Sequence, residues 1–424
     1  MTRMAGKKQS LLSILRRKLY VLCNGLLHAF DLNCRMLIGK LTGKKTLVFH
    51  FCATTQLMHL EPVIKELSAS PNFNRIRIYF LTTPAEIASL RMPIELIIPG
   101  ALVHSVFAAR FLLFCDCLLS VDLGMQYPRV GCRVRACSTH GQPSKGNTYK
   151  CFNYTQINTF FFYGPLMRDY YLEHKKNHPS WPKADCYDVG QPLSDSLFNN
   201  RMKKDEARRS LDLEPSRLTV LFAPSFEYCS SFATHGEKII EALLHLDVNL
   251  IVKPHPAFYN QAPFRDEFNR NVPNVNDWRD KVRRYDSNPR CVFSEDNSLD
   301  SVKALYAADV MLTDYSGIAF DGILLDLAMI YWDCPLLYTE YLPKRYGIDG
   351  EIAKRDLACN VGRDAGIVVR DTDELANAIA AYHDNSQHKG PERKKIREQL
   401  LFNPGCATKA MARKIEELIG ICEA

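Results

Sequence analysis

Short apolar runs alternate with polar, helix-like stretches along most of the chain. In the first half, the runs predict strands at Thr46–Cys52, Arg75–Leu81, Val130–Cys137, Thr159–Tyr163 and Tyr187–Val189, with a helix opening at Pro62. In the second half, they predict strands at Leu218–Ala223, Val248–Val252, Cys291–Phe293, Val310–Leu312, Met329–Trp332 and Ile367–Arg370. Helices are expected between them at Glu237–Leu246, Leu299–Ala307, Ile318–Leu327 and Asp373–Tyr382, with a last helix from Pro404 onward. Such βα alternation is typical of parallel sheets.

A charged segment, Phe198–Ser216, separates the two halves, and the stretch Asn260–Pro289 is expected to be a polar insertion. The chain has 424 residues, 46% of them hydrophobic, which is enough for two cores. We therefore predict an α/β protein with two Rossmann-like domains facing a cleft. The first domain is expected to cover residues 46–205 and the second residues 206–424.

Residues 1–45 differ from the rest in charge. They contain ten Lys or Arg residues and one acid, Asp31, so the net charge of +7 comes from this arm. Its leucines are spaced to give a helix a broad apolar face, which predicts peripheral binding to an anionic membrane surface on the cytoplasmic side. Arg16, Arg17 and Lys18 interrupt any signal-peptide core, and no apolar run approaches the roughly 20 residues of a membrane span.

Two alternatives for this arm are a helix packed on the protein itself and a nucleic-acid arm. The sequence contains no zinc-finger, RNP or basic-zipper pattern, so we expect no nucleic-acid partner. The 15 cysteines are scattered and lack paired CxxC spacings, which favours reduced thiols over disulfides or a metal site. We expect Cys115 and Cys117 to be buried core residues on one face of a strand.

The segment DVMLTDYSGIAFD, from Asp309 to Asp321, carries the strongest candidate site. An apolar strand stops at an acidic, hydroxyl-rich turn, and a helix is predicted to follow with Ser316 as its cap. The free N–H groups of a helix's first turn favour an anion. An ordinary capped βα junction is the alternative interpretation.

Two further segments place cationic or titratable side chains at predicted strand ends. VNLIVKPHPAF brings Lys253 and His255 past a strand, and STHGQPSKG holds His140 and Lys145 after another. Ligands of open α/β sheets bind outside the carboxyl ends of the strands. Two such histidines in separate halves predict a cleft with one imidazole on each wall.

These three segments resemble those of the CDP-glycerol glycerophosphotransferases, which build poly(glycerol phosphate) chains of the teichoic acid type. The resemblance covers residues 130–345. HGQPSK stands where the family has an HGTPLK-like segment, and Lys253, His255 and Pro256 match its basic-x-His-Pro segment. The turn from Thr313 to Gly317, with Asp321 after it, matches an SDYSS-like turn, and LFAPSF is a softer match. Gln142, Ser144 and Gly317 depart from the family's pattern.

The resemblance implies the GT-B arrangement and transfer of glycerol phosphate from CDP-glycerol to a hydroxyl of a lipid-linked or polymeric acceptor, with release of CMP. His140 is the expected general base, since imidazole titrates near neutral pH. His255 and Lys253 would hold the diphosphate, and Ser316 and Gly317 would complete the phosphate cradle. Asp314 would orient a neighbour, because a carboxylate repels a diphosphate.

Lys145 and Asp321 are weaker substrate-binding candidates, with a solvated lysine and a plain helix carboxylate as the alternatives. No cofactor is firmly implied, and a divalent cation is left open. The competing functions are a GT-B glycosyltransferase that uses a nucleotide sugar, a relative that uses CDP-ribitol, and a non-catalytic membrane-surface protein in polymer export. The sequence leaves open the acceptor, the number of units added and the oligomeric state.

Overall fold

The structure is a computed structural model that describes residues 11–52, 54–121, 125, 127–128, 131–139, 141–142, 156–180, 183–260 and 270–421. Its backbone forms two separate sheets, and every strand pair in both is parallel. Parallel strands require crossover connections, and helices supply most of them. The predicted α/β class with two Rossmann-like domains is confirmed.

The first sheet has seven strands in the order β3-β2-β1-β4-β5-β6-β7. The strands are β1 (Lys45–His50), β2 (Ile76–Thr82), β3 (Val103–Ser105), β4 (Cys115–Ser120), β5 (Cys132–Cys137), β6 (Thr159–Phe162) and β7 (Asp185–Asp188). The helices before and around this sheet are α1 (Leu11–Leu41), α2 (Thr54–Ala69), α3 (Ile87–Ile97), α4 (Pro165–Asn177), α5 (Ser196–Asn199) and α6 (Lys204–Arg209). Cys115 and Cys117 are buried in β4, as predicted.

The second sheet has six strands in the order β10-β9-β8-β11-β12-β13. These are β8 (Thr219–Phe222), β9 (Asn249–Val252), β10 (Cys291–Val292), β11 (Val310–Thr313), β12 (Ala328–Trp332) and β13 (Gly366–Val369). Its helices begin with α7 (Ser231–His245), α8 (Val275–Asp286), α9 (Ser301–Ala307), α10 (Ala319–Leu324) and α11 (Leu342–Tyr346). They continue with α12 (Gly350–Arg355), α13 (Leu357–Asn360), α14 (Thr372–Asp384), α15 (Gly390–Leu400) and α16 (Ala407–Ile419).

One local expectation was wrong, and one polar stretch contains a helix that was not predicted. Helix α2 begins at Thr54, so Pro62 lies inside it instead of opening it. The polar stretch Asn260–Pro289 contains the helix α8, where Asn274 and Asp277 form a reciprocal capping box. This cap satisfies N–H groups that would otherwise lack partners, and Val275, Trp278, Val282 and Tyr285 give the polar helix a buried face.

Helix α1, which falls within the predicted arm, has two different apolar faces. Gly25, Ala29, Leu32, Met36 and Gly39 lie on its buried side, at helical spacing, and pack on the first domain. A second face is exposed to solvent and carries Leu19, Leu22, Leu26, Leu27, Phe30, Leu37, Ile38 and Leu41. We call these eight residues the apolar stripe. No helix in the part of the chain that the structure describes is long and apolar enough to cross a membrane.

The end of the chain returns from the second sheet to the first domain. Phe402 N–H donates to Tyr163 O at 2.7 Å, and Asp195 accepts from the first two N–H groups of α16 at 3.0 and 2.7 Å. Met411, Ile415 and Ile419 of α16 then join the core of the first domain. The predicted domain boundary at residues 205/206 stays a prediction. It falls inside α6, and α16, although assigned to the second domain, packs on the first.

The returning segment passes very close to Gly164, at the start of α4. A Cβ atom built there would lie 2.1 Å from Leu400 O and 2.2 Å from its carbonyl carbon. We expect Gly164→Ala to destabilise the protein by roughly 1–3 kcal/mol, because backbone must move to relieve the overlap. Thermal unfolding followed by circular dichroism measures the change in Tm.

Gly39→Ala is the matched control, since its nearest contact would be an ordinary 3.7 Å. Alanine in a helix interior is favoured over glycine, so this variant should keep or slightly raise Tm. An equal loss of Tm in both variants would contradict the argument from close approach.

Candidate active site

The carboxyl ends of β9, β8 and β11 lie side by side because these strands are neighbours in the second sheet. The loops that leave them enclose a cavity of about 280 Å³. Its walls are formed by Pro224, Ser225, Lys253, Pro254, His255, Pro256, Ser301, Ser316, Gly317 and Ile318. Four predicted residues, Lys253, His255, Ser316 and Gly317, therefore share one cavity, which we call the phosphate pocket.

His255 lies between Pro254 and Pro256, and two contacts hold its ring in one orientation. Its Nδ1 accepts a hydrogen bond from Ala257 N–H at 3.2 Å, and its ring lies 4.4 Å from that of Phe226. Because Nδ1 is the acceptor, the neutral imidazole carries its proton on Nε2. In that form His255 is a hydrogen-bond donor, which suits contact with a phosphate oxygen.

Lys253 lies at the end of β9 and is only 9% exposed. Its Nζ donates to Leu299 O at 2.9 Å, which fixes the ammonium at the pocket wall. Burial lowers the pKa of Lys253, and the negative charge of Asp300 opposes that shift. An ammonium with little water around it interacts strongly with an incoming anion.

Ser316 does not cap a helix, contrary to the prediction. Helix α10 begins at Ala319 with Ile318 at its cap position, and no side chain there caps it. The Ser316 hydroxyl makes no hydrogen bond with the residues that the structure describes, and the residue lines the pocket beside Gly317. The substrate-binding role predicted for Ser316 stays a prediction.

Asp314 lies behind the pocket and is buried. Its Oδ1 accepts from Ser225 N–H at 2.8 Å and from its neighbour Tyr315 N–H at 2.7 Å. Its Oδ2 accepts from the N–H and the hydroxyl of Ser231 at 2.9 and 2.8 Å. Burial raises the pKa of Asp314, and these hydrogen bonds oppose that rise. The carboxylate therefore joins β11 to the loop after β8 and to the start of α7.

Asp321 lies in α10 and is not among the residues that line the phosphate pocket. Burial raises the pKa of its carboxyl group to about 7. His140 and Lys145 lie outside the described residues. Just beyond β5, Thr139 Oγ1 donates to Gly141 O at 2.6 Å.

Two serine residues of the phosphate pocket were not predicted as site residues. Ser225 belongs to the LFAPSF segment, which carried only a soft match, and Ser301 is the first residue of α9. Asp300 could have predicted a helix start at Ser301, because it is the N-cap of α9 and its side chain accepts from Val302 N–H at 2.8 Å. In the described part of the chain, no cluster of three or more His, Cys, Asp or Glu side chains could hold a metal ion.

The two parallel sheets, with the phosphate pocket at strand ends of the second sheet, define the class, a GT-B-like fold of the kind used by nucleotide-dependent enzymes. Residues 176–417, more than half of the chain, match the family CDP-Glycerol:Poly(glycerophosphate) glycerophosphotransferase. The chain belongs to this family, and it is a transferase that uses CDP-glycerol as the glycerol phosphate donor.

Solved structures agree on the fold. The wall teichoic acid polymerase TagF superposes with a TM-score of 0.56 at 16% identity, covering 95% of this chain and 98% of TagF. A TagF variant gives 0.58 at 14% identity, with 97% and 99% covered. The UDP-GlcNAc 2-epimerase from Neisseria meningitidis bound to UDP-GlcNAc gives 0.51 at 12% identity, with 88% and 100% covered. No curated protein matches the chain.

The role of Asp314 can be tested with Asp314→Asn. The asparagine NH₂ group would face N–H donors and leave at least one buried group without a partner, which costs about 1–3 kcal/mol. We expect a lower Tm together with weaker binding of CDP-glycerol, measured as a higher KM.

Asp371→Asn is the control for this substitution. Asp371 caps α14 by accepting from Asp373 N–H and Glu374 N–H through one oxygen, and asparagine keeps that oxygen. An unchanged KM in Asp314→Asn would show that the carboxylate does not hold the pocket together.

Proposed function

We propose that this enzyme transfers glycerol phosphate from CDP-glycerol to the terminal hydroxyl of a lipid-linked or polymeric acceptor and releases CMP. The product would be a teichoic-acid-like or capsule polymer of the cell surface. The observation that supports it most is the phosphate pocket, where Lys253, His255 and Ser316 lie together at adjacent strand ends. A cation, an N–H donor and a hydroxyl are the groups that bind a diphosphate.

In the proposed reaction, the acceptor oxygen forms a bond to the β-phosphorus of CDP-glycerol. The bond from that phosphorus to the oxygen of CMP breaks, and CMP leaves with the electron pair. The acceptor proton passes to His140, the proposed general base. Lys253 and His255 stabilise the charge that develops on CMP, because positioning and charge neutralisation dominate phosphoryl transfer.

CMP release from purified enzyme tests this reaction. CDP-glycerol is supplied with a glycerol-phosphate-terminated lipid acceptor, beside separate reactions with CDP-ribitol and with UDP-sugars. We expect turnover with CDP-glycerol, a loss of about 10²- to 10⁴-fold in His140→Ala through the missing base, and a loss of about 10²- to 10³-fold in His255→Ala through the missing donor.

His383→Ala is the matched control, since this histidine is 71% exposed in α14 and lies outside the phosphate pocket. Turnover with a UDP-sugar alone would show that the enzyme is a nucleotide-sugar glycosyltransferase. Turnover with CDP-ribitol alone would show that the transferred polyol is ribitol and not glycerol. Full activity of a folded His255→Ala variant would refute the proposed role of the phosphate pocket.

We further propose that the enzyme is peripheral and binds the cytoplasmic face of the cell membrane through the apolar stripe of α1. The support is the exposure of its large side chains, 70% for Phe30 and 78% for Leu41, on a helix whose other face is buried. Asn33 of α1 donates to Phe111 O at 2.8 Å and accepts from Leu113 N–H at 2.7 Å. The exposed side chains of Phe111 and Leu113 therefore extend the same surface. An apolar surface of this extent marks an interaction site.

Phe30→Asp combined with Leu37→Asp tests membrane binding. Insertion of a Phe or Leu side chain contributes about 1.5–3 kcal/mol, so we expect the partition coefficient on anionic vesicles to fall at least roughly 100-fold. The measurement is co-sedimentation with vesicles.

The control is Leu172→Asp combined with Ile352→Asp, two exposed apolar residues on α4 and α12. Binding equal to that of the unsubstituted enzyme is expected of this control. Unchanged binding in the Phe30 and Leu37 variant would rule out the apolar stripe as the anchor. These substitutions preserve the buried face of α1, which deletion of the arm would remove.

A further inference from the structure

A second and larger cavity, of about 620 Å³, lies in the first domain at the amino ends of β1 and β2. It is open because β3 has only three residues and pairs with Phe80–Thr82. The first part of β2, from Ile76 to Tyr79, thus has no strand beside it on that edge in the described structure. The end of α1 and the loop before β3 form the other walls of this cavity, which we call the basic cleft.

Three cations line the basic cleft. Arg35 is paired with Asp31 at 2.9 Å, whereas Arg77 and Lys44 have no acidic partner among the described side chains. Tyr79, also in the cleft, lies close to two of these charges. Burial raises the pKa of its hydroxyl, and Arg77 and Arg35 oppose that rise. The basic cleft therefore has an excess of positive charge, which fits an anion.

The basic cleft also has apolar lining residues, which adjoin the apolar stripe at Ile38. Ile38 belongs to both, since it lines the cleft and is 61% exposed. Phe73 and Ile98 extend the apolar lining inside the cleft. A ligand that combines a phosphate with apolar atoms can contact both parts at once, which a free phosphate cannot.

We infer that the basic cleft binds the phosphate headgroup of an anionic phospholipid, with the phosphate at Arg77 and Lys44 and the first apolar carbons along Ile38. This inference rests on the proposed membrane binding and adds a lipid specificity to it. The apolar stripe would hold the enzyme on any bilayer, and the basic cleft would select anionic lipid, because both cations and anionic headgroups are needed for the attraction.

The test uses the full chain with Lys44→Gln and Arg77→Gln combined. The control combines Lys176→Gln with Lys183→Gln, which removes the same charge from exposed positions of the same domain outside the basic cleft. At about 1 kcal/mol for each cation near an anionic surface, binding to phosphatidylglycerol vesicles should fall about 30-fold in the first variant only. Binding to phosphatidylcholine vesicles should be equal in all three proteins.

A soluble probe separates a lipid site from a general charge effect. Dihexanoylphosphatidylglycerol, below its micelle concentration, should bind saturably to the unsubstituted enzyme and to the control, and fail to bind the Lys44 and Arg77 variant. Calorimetric titration measures this without a bilayer, so failure of the apolar stripe as an anchor would not hide the result. CMP release with a soluble acceptor reports separately on the proposed reaction.

Two results would overturn the inference. An equal loss of vesicle binding in both double variants would mean that overall charge, not the basic cleft, attracts the lipid. Inorganic phosphate that binds as tightly as the short-chain lipid would mean that the basic cleft recognises a free phosphate and not a phospholipid.

Discussion

The phosphate pocket depends on one buried carboxylate. Asp314 accepts four hydrogen bonds from three parts of the chain, the loop after β8, the start of α7 and its own turn after β11. Thr313 adds a bond from its hydroxyl to Ala223 O at 2.7 Å. Ser225, which donates to Asp314, and Ser316, two residues after Asp314, both line the pocket. A buried charge is costly unless its acceptor sites are satisfied, so Asp314 forces the loops into one arrangement.

The two domains are joined by backbone contacts that leave no room for side chains. A Cβ at Gly164 would overlap Leu400, and one at Gly190 would lie 2.2 Å from Phe402 O. Gln142 Nε2 donates to Leu400 O at 2.5 Å, so the loop after β5 is bonded to the segment that returns from the second domain. Gln142 departs from the family pattern at this position, and the contact gives the departure a structural role. The loop of the proposed general base is thereby linked to the domain of the phosphate pocket.

The sequence was sufficient for the parts of the fold that depend on local pattern. Apolar runs identified the strands of the second sheet, and the polar residues after Val252 and Leu312 identified two of the segments that line the phosphate pocket, since carboxyl ends of neighbouring parallel strands meet at one edge. Three further features were not predicted from the sequence. The capping box of α8 was concealed in a polar stretch, and Ser316 faces the pocket only because α10 begins three residues later. Which apolar face of α1 is buried depends on a tertiary contact, Gly25 against Phe107.

The cation of the phosphate pocket and those of the basic cleft differ in their exposure to solvent. This difference fits two kinds of binding, one to a donor molecule and one to a charged surface. Lys253 is buried and bonded to a backbone carbonyl, so salt screens it little and its attraction for a diphosphate is strong at short range. Arg77 is exposed, as are most charges near the basic cleft, so its attraction for an anionic surface is long-ranged and sensitive to salt. In the proposed reaction, the donor must be bound specifically and CMP must leave after each transfer, whereas attachment to a surface needs only many weak contacts. In the proposed arrangement, helix α1 has two roles in the first domain, since its buried face packs on the core and its exposed apolar stripe would contact the membrane.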